Sequence, residues 1–76
     1  MTQKTANELK KGEKATIKSV DMERLPLKLF ELGCLPGNPI ELLQRAVFND
    51  PIYMNINGSY IAIRVEIAQH IEVQIG

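Results

Sequence analysis

The sequence has no tryptophan, one cysteine, one histidine and no excess of charge of either sign. A single cysteine cannot form an intramolecular disulfide, and it offers no CxxC pair for a metal. Nine basic side chains balance nine acidic ones, whereas nucleic-acid-binding domains usually carry a basic excess that neutralises phosphates. Two tyrosines and two phenylalanines are too few for the stacking platforms of single-strand binders or for the aromatic grooves that read polyproline. We therefore expect no nucleic-acid partner.

Long hydrophobic runs are absent as well. No stretch approaches the roughly 20 apolar residues that a membrane-spanning helix needs, and the start, MTQKTANELKKGEK, has no apolar run typical of a signal peptide. Small secreted domains tend to be rich in disulfides. We expect a cytoplasmic protein without direct membrane insertion. Its 76 residues, 45% of them hydrophobic, give room for one globular domain over residues 1–76.

Alternation of apolar and polar residues predicts five short strands. EKATIKSV places Ala15 and Ile17 on one face, which is typical of a half-buried strand. IELLQRAVF is the longest candidate, and its adjoining leucines indicate a strand that bends. IYMNI and SYIAIR flank Asn57-Gly58, a strong hairpin signal because a type I′ turn needs positive φ at both central residues. IEVQI is the last strand.

Helical signals are fewer. TANELKKG is predicted to form one short helical turn that ends at Gly12, and VEIAQH could form another. In ERLPLKLFELG, Leu25, Leu29 and Leu32 recur at i, i+4 and i+7, which is one face of a helix. Because proline is tolerated only in the first helical turn, Pro26 places the helix start near Arg24.

The helix is followed by a sequence rich in turn residues. Gly33 supplies the left-handed residue that commonly ends a helix. Pro36 and Gly37 have the type II turn signature, and Pro39 favours an extended residue before it. Five strands with one helix between the first and second predict a mostly β protein, a small and strongly bent sheet that closes into a barrel and hides its edges.

The single cysteine is a weak candidate for chemistry. A catalytic thiol needs a base nearby, and the only histidine, His70, lies far along the chain. Free cysteine is among the most buried residue types. We therefore predict that Cys34 is an apolar filler between Leu32 and Leu35.

Metal and cofactor sites are not indicated either. A metal site needs three or four ligands with organised spacing, whereas Cys34, His70, Asp50 and the glutamates are scattered. Glu31 and Cys34 make a pair at best, and the helix ends between them. We predict no catalytic residue, no metal ligand and no cofactor.

The apolar arc of the helix is the remaining oddity. At 100° per residue it spans about 220°, although about 100° is enough to seat a surface helix on a core. One interpretation is that the helix caps an open barrel end and buries most of the arc, since so short a chain has little core. The alternative is that Leu27 and Phe30, together with Leu35 in the following loop, stay exposed and contact a partner.

The ordered set of these features closely resembles the FeoA family, the small cytoplasmic component of bacterial ferrous-iron uptake. The resemblance extends from about Leu9 to Val73. It rests on Leu32-Gly33, Pro36-Gly37, Asp50-Pro51, Gly58, Ile63-Arg64, Ala68 and Ile71-Glu72-Val73. Pro26 departs from the pattern, because the family usually has an uninterrupted helix there.

The resemblance implies an SH3-like barrel in which Gly33, Pro36, Gly37, Asp50, Pro51 and Gly58 serve as structural turns. It also implies a binding or regulatory role beside FeoB, the membrane transporter with a cytoplasmic GTP-binding domain, and a protein that neither carries iron nor hydrolyses GTP. The oligomeric state is left open.

Two alternatives remain at this stage. The same barrel is similar to the C-terminal regulatory domain of metal-dependent transcriptional repressors, and this chain would then be a detached module of that kind. A small enzyme that uses Cys34 is the least favoured hypothesis.

Overall fold

A six-stranded antiparallel sheet forms the framework of the protein in a computed structural model that describes residues 2–75. The strands are β1 (Thr2–Thr5), β2 (Lys14–Val20), β3 (Pro39–Arg45), β4 (Ile52–Ile56), β5 (Ser59–Ile63) and β6 (Ile71–Ile75). Their order in the sheet is β1-β6-β2-β3-β4-β5. Two short helices, α1 (Leu27–Glu31) and α2 (Val65–Ala68), precede β3 and β6, and single 3-10 turns lie at Ala6–Glu8 and Val47–Asn49. The predicted mostly β class is confirmed.

The core is built almost entirely from aliphatic side chains. In β4 the predicted alternation holds, since Ile52, Met54 and Ile56 are buried and Tyr53 is exposed. No polar or charged residue is buried in the described part of the chain. Each fully buried aliphatic side chain contributes about 1.5–3 kcal/mol. The single cluster comprises Ala6, Leu9, Ala15, Ile17, Leu25, Leu29, Cys34, Ile40, Leu42, Ile52, Met54, Ile56, Ile63, Ala68, Ile71 and Val73.

The first strand was not predicted from the sequence. β1 pairs with β6 along its whole length, from Thr2 opposite Ile75 to Thr5 opposite Glu72. The predicted helical turn over TANELKKG is limited to the 3-10 turn at Ala6–Glu8. The segment TQKT has no apolar alternation that would indicate a strand. An edge strand can be held by backbone pairing alone, so its sequence need not show that pattern.

The expected closure into a barrel was wrong. β1 and β5 each have one neighbouring strand in the sheet, so both remain edges. The sheet bends instead at two register shifts, one between Ile17 and Ser19 in β2 and the other between Leu42 and Gln44 in β3. A bulge adds a residue to one strand and increases the local twist. The second bulge explains the adjoining leucines of β3.

β3 is also shorter than predicted. It ends at Arg45, and Val47–Asn49 form a 3-10 turn in which Phe48 has a φ of +70° and is 93% exposed. The Asp50-Pro51 peptide bond, which precedes β4, is cis. The β4–β5 turn is as predicted, with positive φ at Asn57 and Gly58.

α1 begins later than predicted, at Leu27 rather than near Arg24. The N–H groups of Arg24 and Leu25 both donate to the C=O of Asp21, at N–O distances of 3.1 Å. This turn leaves Pro26 extended, with a ψ of 144°, as the residue that precedes the helix. The missing N–H of Pro26 therefore costs the helix no hydrogen bond.

Gly33 ends α1 in a left-handed conformation, with a φ of +98°. The N–H of Gly33 donates to the C=O of Phe30, and the N–H of Cys34 donates to the C=O of Leu29, at 3.0 and 2.9 Å. This pair of bonds is the Schellman motif. A Cβ atom at Gly33 would lie 2.6 Å from Nδ2 and 3.1 Å from Cβ of Asn57, so the glycine also permits close contact with the β4–β5 turn.

Substitution of Gly33 by alanine should therefore be more damaging than the same change at Gly37. Both glycines have φ above +90°, but only Gly33 has a neighbour that the new methyl group would meet. The left-handed strain costs each variant about 1–2 kcal/mol. Urea denaturation should give a larger loss for Gly33→Ala than for Gly37→Ala, and equal losses would contradict the packing argument.

Arg45 fastens the N-terminal segment to β3. Its Nη2 atom donates to the backbone C=O groups of Asn7 and Leu9, at 2.6 and 2.9 Å. Hydrogen bonds that involve a charged group are stronger than neutral ones. This contact holds the connection between β1 and β2, which contains Asn7 and Leu9, against the end of β3.

Replacing Arg45 by methionine should lower the free energy of unfolding by about 1.5–3 kcal/mol, since two partly buried carbonyl groups lose a charged donor. The matched control is Arg64→Met, because the Arg64 side chain is exposed and makes no hydrogen bond within residues 2–75. Thermal or urea denaturation measures both. A loss of similar size in the two variants would show that Arg45 acts through general charge and not through these bonds.

Candidate protein-interaction surface

The loop after α1, residues 32–38, is anchored on the backbone of β2. The N–H of Ile17 donates to the C=O of Asn38 at 2.9 Å, and the N–H of Gly37 donates to the C=O of Ile17 at 2.8 Å. Asn38 also donates from Nδ2 to the C=O of Gly33 at 2.8 Å. The turn is closed by the N–H of Asn38, which donates to the C=O of Leu35 at 3.1 Å. The loop is therefore held at both of its glycines.

Two leucines are exposed, one in the helix and one in the loop that follows it. Leu27, the first residue of α1, is 71% exposed, and Leu35 in the loop is 42% exposed. Leu25 and Leu29 are buried in the core. The helix therefore seats one side of its wide apolar arc and leaves Leu27 in solvent. We call Leu27 and Leu35 the α1 surface.

Phe30 is placed differently from Leu27. It is partly buried and packs against the core cluster. Part of its ring contributes to the core, so Phe30 borders the α1 surface and does not project from it. The structure thus buries part of Phe30 and leaves Leu27 exposed.

Other large apolar side chains are exposed outside α1, among them Met22, which is 71% exposed in the segment before the helix. Val47 and Phe48, in the β3–β4 connection, are 77% and 93% exposed. The sequence interpretation assigned them to a strand and so missed their exposure. The NDP segment follows Phe48 directly, so it marks the end of the predicted strand and does not separate Val47 and Phe48 from β3. Tyr60 in β5 is also exposed.

The predicted turn residues occupy loop positions. Gly33 and Gly37 lie at the two ends of the loop after α1, and Pro36 lies between them. Asp50 accepts a hydrogen bond on Oδ1 from the N–H of Val65, at 3.2 Å. This contact satisfies a free N–H at the start of α2.

Cys34 is fully buried in the core, as the filler interpretation requires. Burial raises the pKa of its thiol to about 11, because a thiolate is poorly stabilised away from water. His70, the potential base, has its Nδ1 atom 4.0 Å from Oδ2 of Asp21. Within residues 2–75 no hydrogen bond joins the thiol to the imidazole. The structure does not bring the two groups together as a nucleophile and its base.

The described residues contain no group of three or more histidine, cysteine, aspartate or glutamate side chains that could hold a metal ion. None of the helices in the described range is long and apolar enough to cross a membrane.

The raised pKa of Cys34 gives a pH prediction. In the unfolded chain the thiol ionises near its ordinary value, whereas in the folded chain it stays protonated up to about 11. The unfolded state binds fewer protons in this interval, so the stability contributed by Cys34 is complete below the ordinary pKa and falls as the pH rises towards 11. Cys34→Ala should reduce this loss in urea denaturation series. An unchanged slope would contradict the burial of the thiol.

A family model for the FeoA domain matches residues 4–75. The solution structure of the FeoA protein of Chlorobium tepidum is 34% identical and superposes with a TM-score of 0.82, over 93% of this chain and 69% of that one. A search among curated proteins gives no match.

Two more distant structures share the fold. FeoA of Stenotrophomonas maltophilia, a prokaryotic SH3 domain protein complexed with zinc, is 23% identical with a TM-score of 0.78, over 92% of this chain and 88% of that one. IdeR of T. acidophilum is 22% identical with a TM-score of 0.79, over 100% of this chain and 35% of that one. The predicted SH3-like fold is confirmed, and the likeness to IdeR concerns the fold alone.

Proposed function

The chain belongs to the FeoA family, which is associated with ferrous iron transport, and on this premise we propose that it is an accessory protein of that transport which acts by binding another protein. The proposed partner is the cytoplasmic GTP-binding domain of an FeoB-like membrane transporter. This role assigns the chain to the cytoplasm and assigns it no catalytic step. The S. maltophilia relative is described in similar terms, as a candidate activating factor for ferrous iron transport.

The exposure of Leu27 is the observation that carries the proposal. Leu27 is the first residue of α1, and it is 71% exposed although Leu25 and Leu29, two residues before and two residues after it, are buried. Full burial of a leucine side chain contributes about 1.5–3 kcal/mol. A partner that covers Leu27 and Leu35 would gain this free energy, and such apolar anchors carry much of the binding energy of protein interfaces.

Two features of the chain argue against the competing roles. The thiol of Cys34 is buried and has a raised pKa, which is the opposite of what a nucleophile needs. The similarity to the repressor IdeR is limited to the fold, and it covers 35% of that protein. Membership of the FeoA family therefore supports the transport role over the role of a detached repressor module.

The test is a pull-down between this chain and the isolated GTP-binding domain of the FeoB-like transporter from the same genome. Leu27→Asp and Leu35→Asp should each weaken binding by about tenfold or more, because a charge replaces an apolar anchor. Both side chains are exposed, so the fold should tolerate the changes.

The matched control is Phe48→Asp, which places the same charge at an exposed apolar residue in a different loop. Phe30→Asp is interpreted only with its circular dichroism spectrum, because Phe30 packs partly on the core. Equal binding by wild type, Leu27→Asp and Leu35→Asp would overturn the α1 surface. A wild-type chain that does not bind the domain at all would overturn the proposed partner.

A further inference from the structure

The outer edge of β5 is open. β5 pairs with β4 on one side, from Ile56 opposite Ser59 to Ile52 opposite Ile63, and it is the last strand of the sheet. The edge lacks the charged side chains and the proline that often protect edge strands, since its sequence, SYIAI, contains neither. β1, at the other edge, has four residues that include Lys4. The β1 edge therefore carries a charged side chain, whereas the β5 edge carries none.

The register identifies the backbone groups at the open edge. Ile56 and Ser59 directly flank the two-residue turn at Asn57-Gly58 and form a hydrogen-bonded pair across it. Because bonded and non-bonded pairs alternate in an antiparallel ladder, Tyr60 and Ala62 turn their N–H and C=O groups outward. No backbone partner for either residue is present in the part of the chain that the structure describes.

A groove of about 260 Å³ runs beside this edge, between β5 and α1. It is bordered by Pro26, Lys28 and Leu29 from the helix region, Ile61, Ala62 and Ile63 from β5, and Arg64 and Ile67 beyond it. Apart from the two cations, these side chains are apolar. The groove therefore combines unpaired strand backbone with an apolar floor.

The charges at the groove have one sign. Lys28 and Arg64 border it, no carboxylate does, and neither cation has a carboxylate within 4.0 Å in the described range. An occupant with acidic side chains would pair with both cations. A second copy of this chain, paired edge to edge, would instead bring the same two cations to the seam.

We propose that the β5 edge and its groove bind an extended peptide segment of a partner protein, which adds a seventh strand beside β5 and carries apolar residues at alternate positions with acidic residues at its ends. The backbone of Tyr60 and Ala62 supplies the main-chain hydrogen bonds, and the apolar floor receives every second side chain. This site uses different residues from the α1 surface, so it adds a second interaction site to the proposed function and does not depend on it.

The probe is a short synthetic peptide in which valine and threonine alternate between two terminal glutamates. Nuclear magnetic resonance titration should shift the amide signals of Tyr60 and Ala62, and hydrogen exchange of these two amides should slow. The amides of Ser59, Ile61 and Ile63, which already face β4, should change little. A peptide with lysine in place of each glutamate should bind about tenfold more weakly.

Two further changes separate backbone pairing from general apolar contact. A peptide with N-methylated amides along one edge keeps its side chains but loses donors, and it should not protect Tyr60 or Ala62. In the protein, Ala62→Pro removes an outward N–H that the β4 pairing does not use, so this variant should bind the glutamate peptide more weakly. The matched control Ala62→Ser keeps the N–H and should bind the peptide as the wild type does.

Charge reversal keeps the test decisive even where the proline variant does not fold. The double variant Lys28→Glu with Arg64→Glu should prefer the lysine peptide over the glutamate peptide. The proposal is overturned by equal binding of the two peptides to the wild type, by protection confined to residues outside β5, or by peptide-independent association of this chain through β5. Binding of the transporter domain in the earlier pull-down is unaffected by any of these outcomes, so the two proposals fail separately.

Discussion

The position of the loop after α1, and through it that of the helix, depends on two hydrogen bonds to the backbone of Ile17. Ile17 is the residue at which β2 leaves the paired part of β3, and it bonds to Gly37 and Asn38 on that side while it pairs with Val73 of β6 on the other. The loop after α1 is thereby fixed to the centre of the sheet. Since the loop is fixed, α1 has one orientation, and its buried leucines reach the core while Leu27 does not. The candidate interaction surface follows from this attachment.

The close approach of Gly33 to Asn57 depends on the same attachment. The helix can end next to the β4–β5 turn only because no Cβ atom stands between them. The Asn57-Gly58 hairpin sets the register of β5. One end of α1 and one end of β5 are thus positioned by neighbouring contacts, which leaves the groove between them at the opposite ends of both elements.

Much of the fold was accessible from local signals in the sequence. The alternation of Ile52, Met54 and Ile56, the Asn57-Gly58 pair and Gly33 each act over a few residues, and the structure has the corresponding strand, turn and helix end. Features decided by distant partners were not accessible. β1 has a polar sequence, and it forms a strand because its backbone pairs with that of β6. Sheet closure depends on whether two remote edges meet, and the periodicity of a single strand contains no information about that.

The candidate interaction surface was likewise predictable from the sequence only in part. The wide apolar arc of α1 was visible in the sequence, but which part of it the core covers depends on packing, and the structure covers part of Phe30 while it exposes Leu27. Phe48 was assigned to a strand because it ends IELLQRAVF, the longest strand candidate in the sequence. Its left-handed backbone is a property of the loop that connects β3 to β4, and nothing in IELLQRAVF alone indicates it.

The aliphatic composition of the core has a consequence for divergence among relatives. Sixteen residues form the cluster, none is aromatic, and none places a polar side chain that must meet a particular partner. Isoleucine, leucine, valine and methionine can replace one another at a cost that is usually below about 1.5 kcal/mol when the volume is conserved. Such a core can change most of its residues in small steps while the sheet persists. It is therefore physically reasonable that chains with fewer than a quarter of their residues in common retain the same architecture.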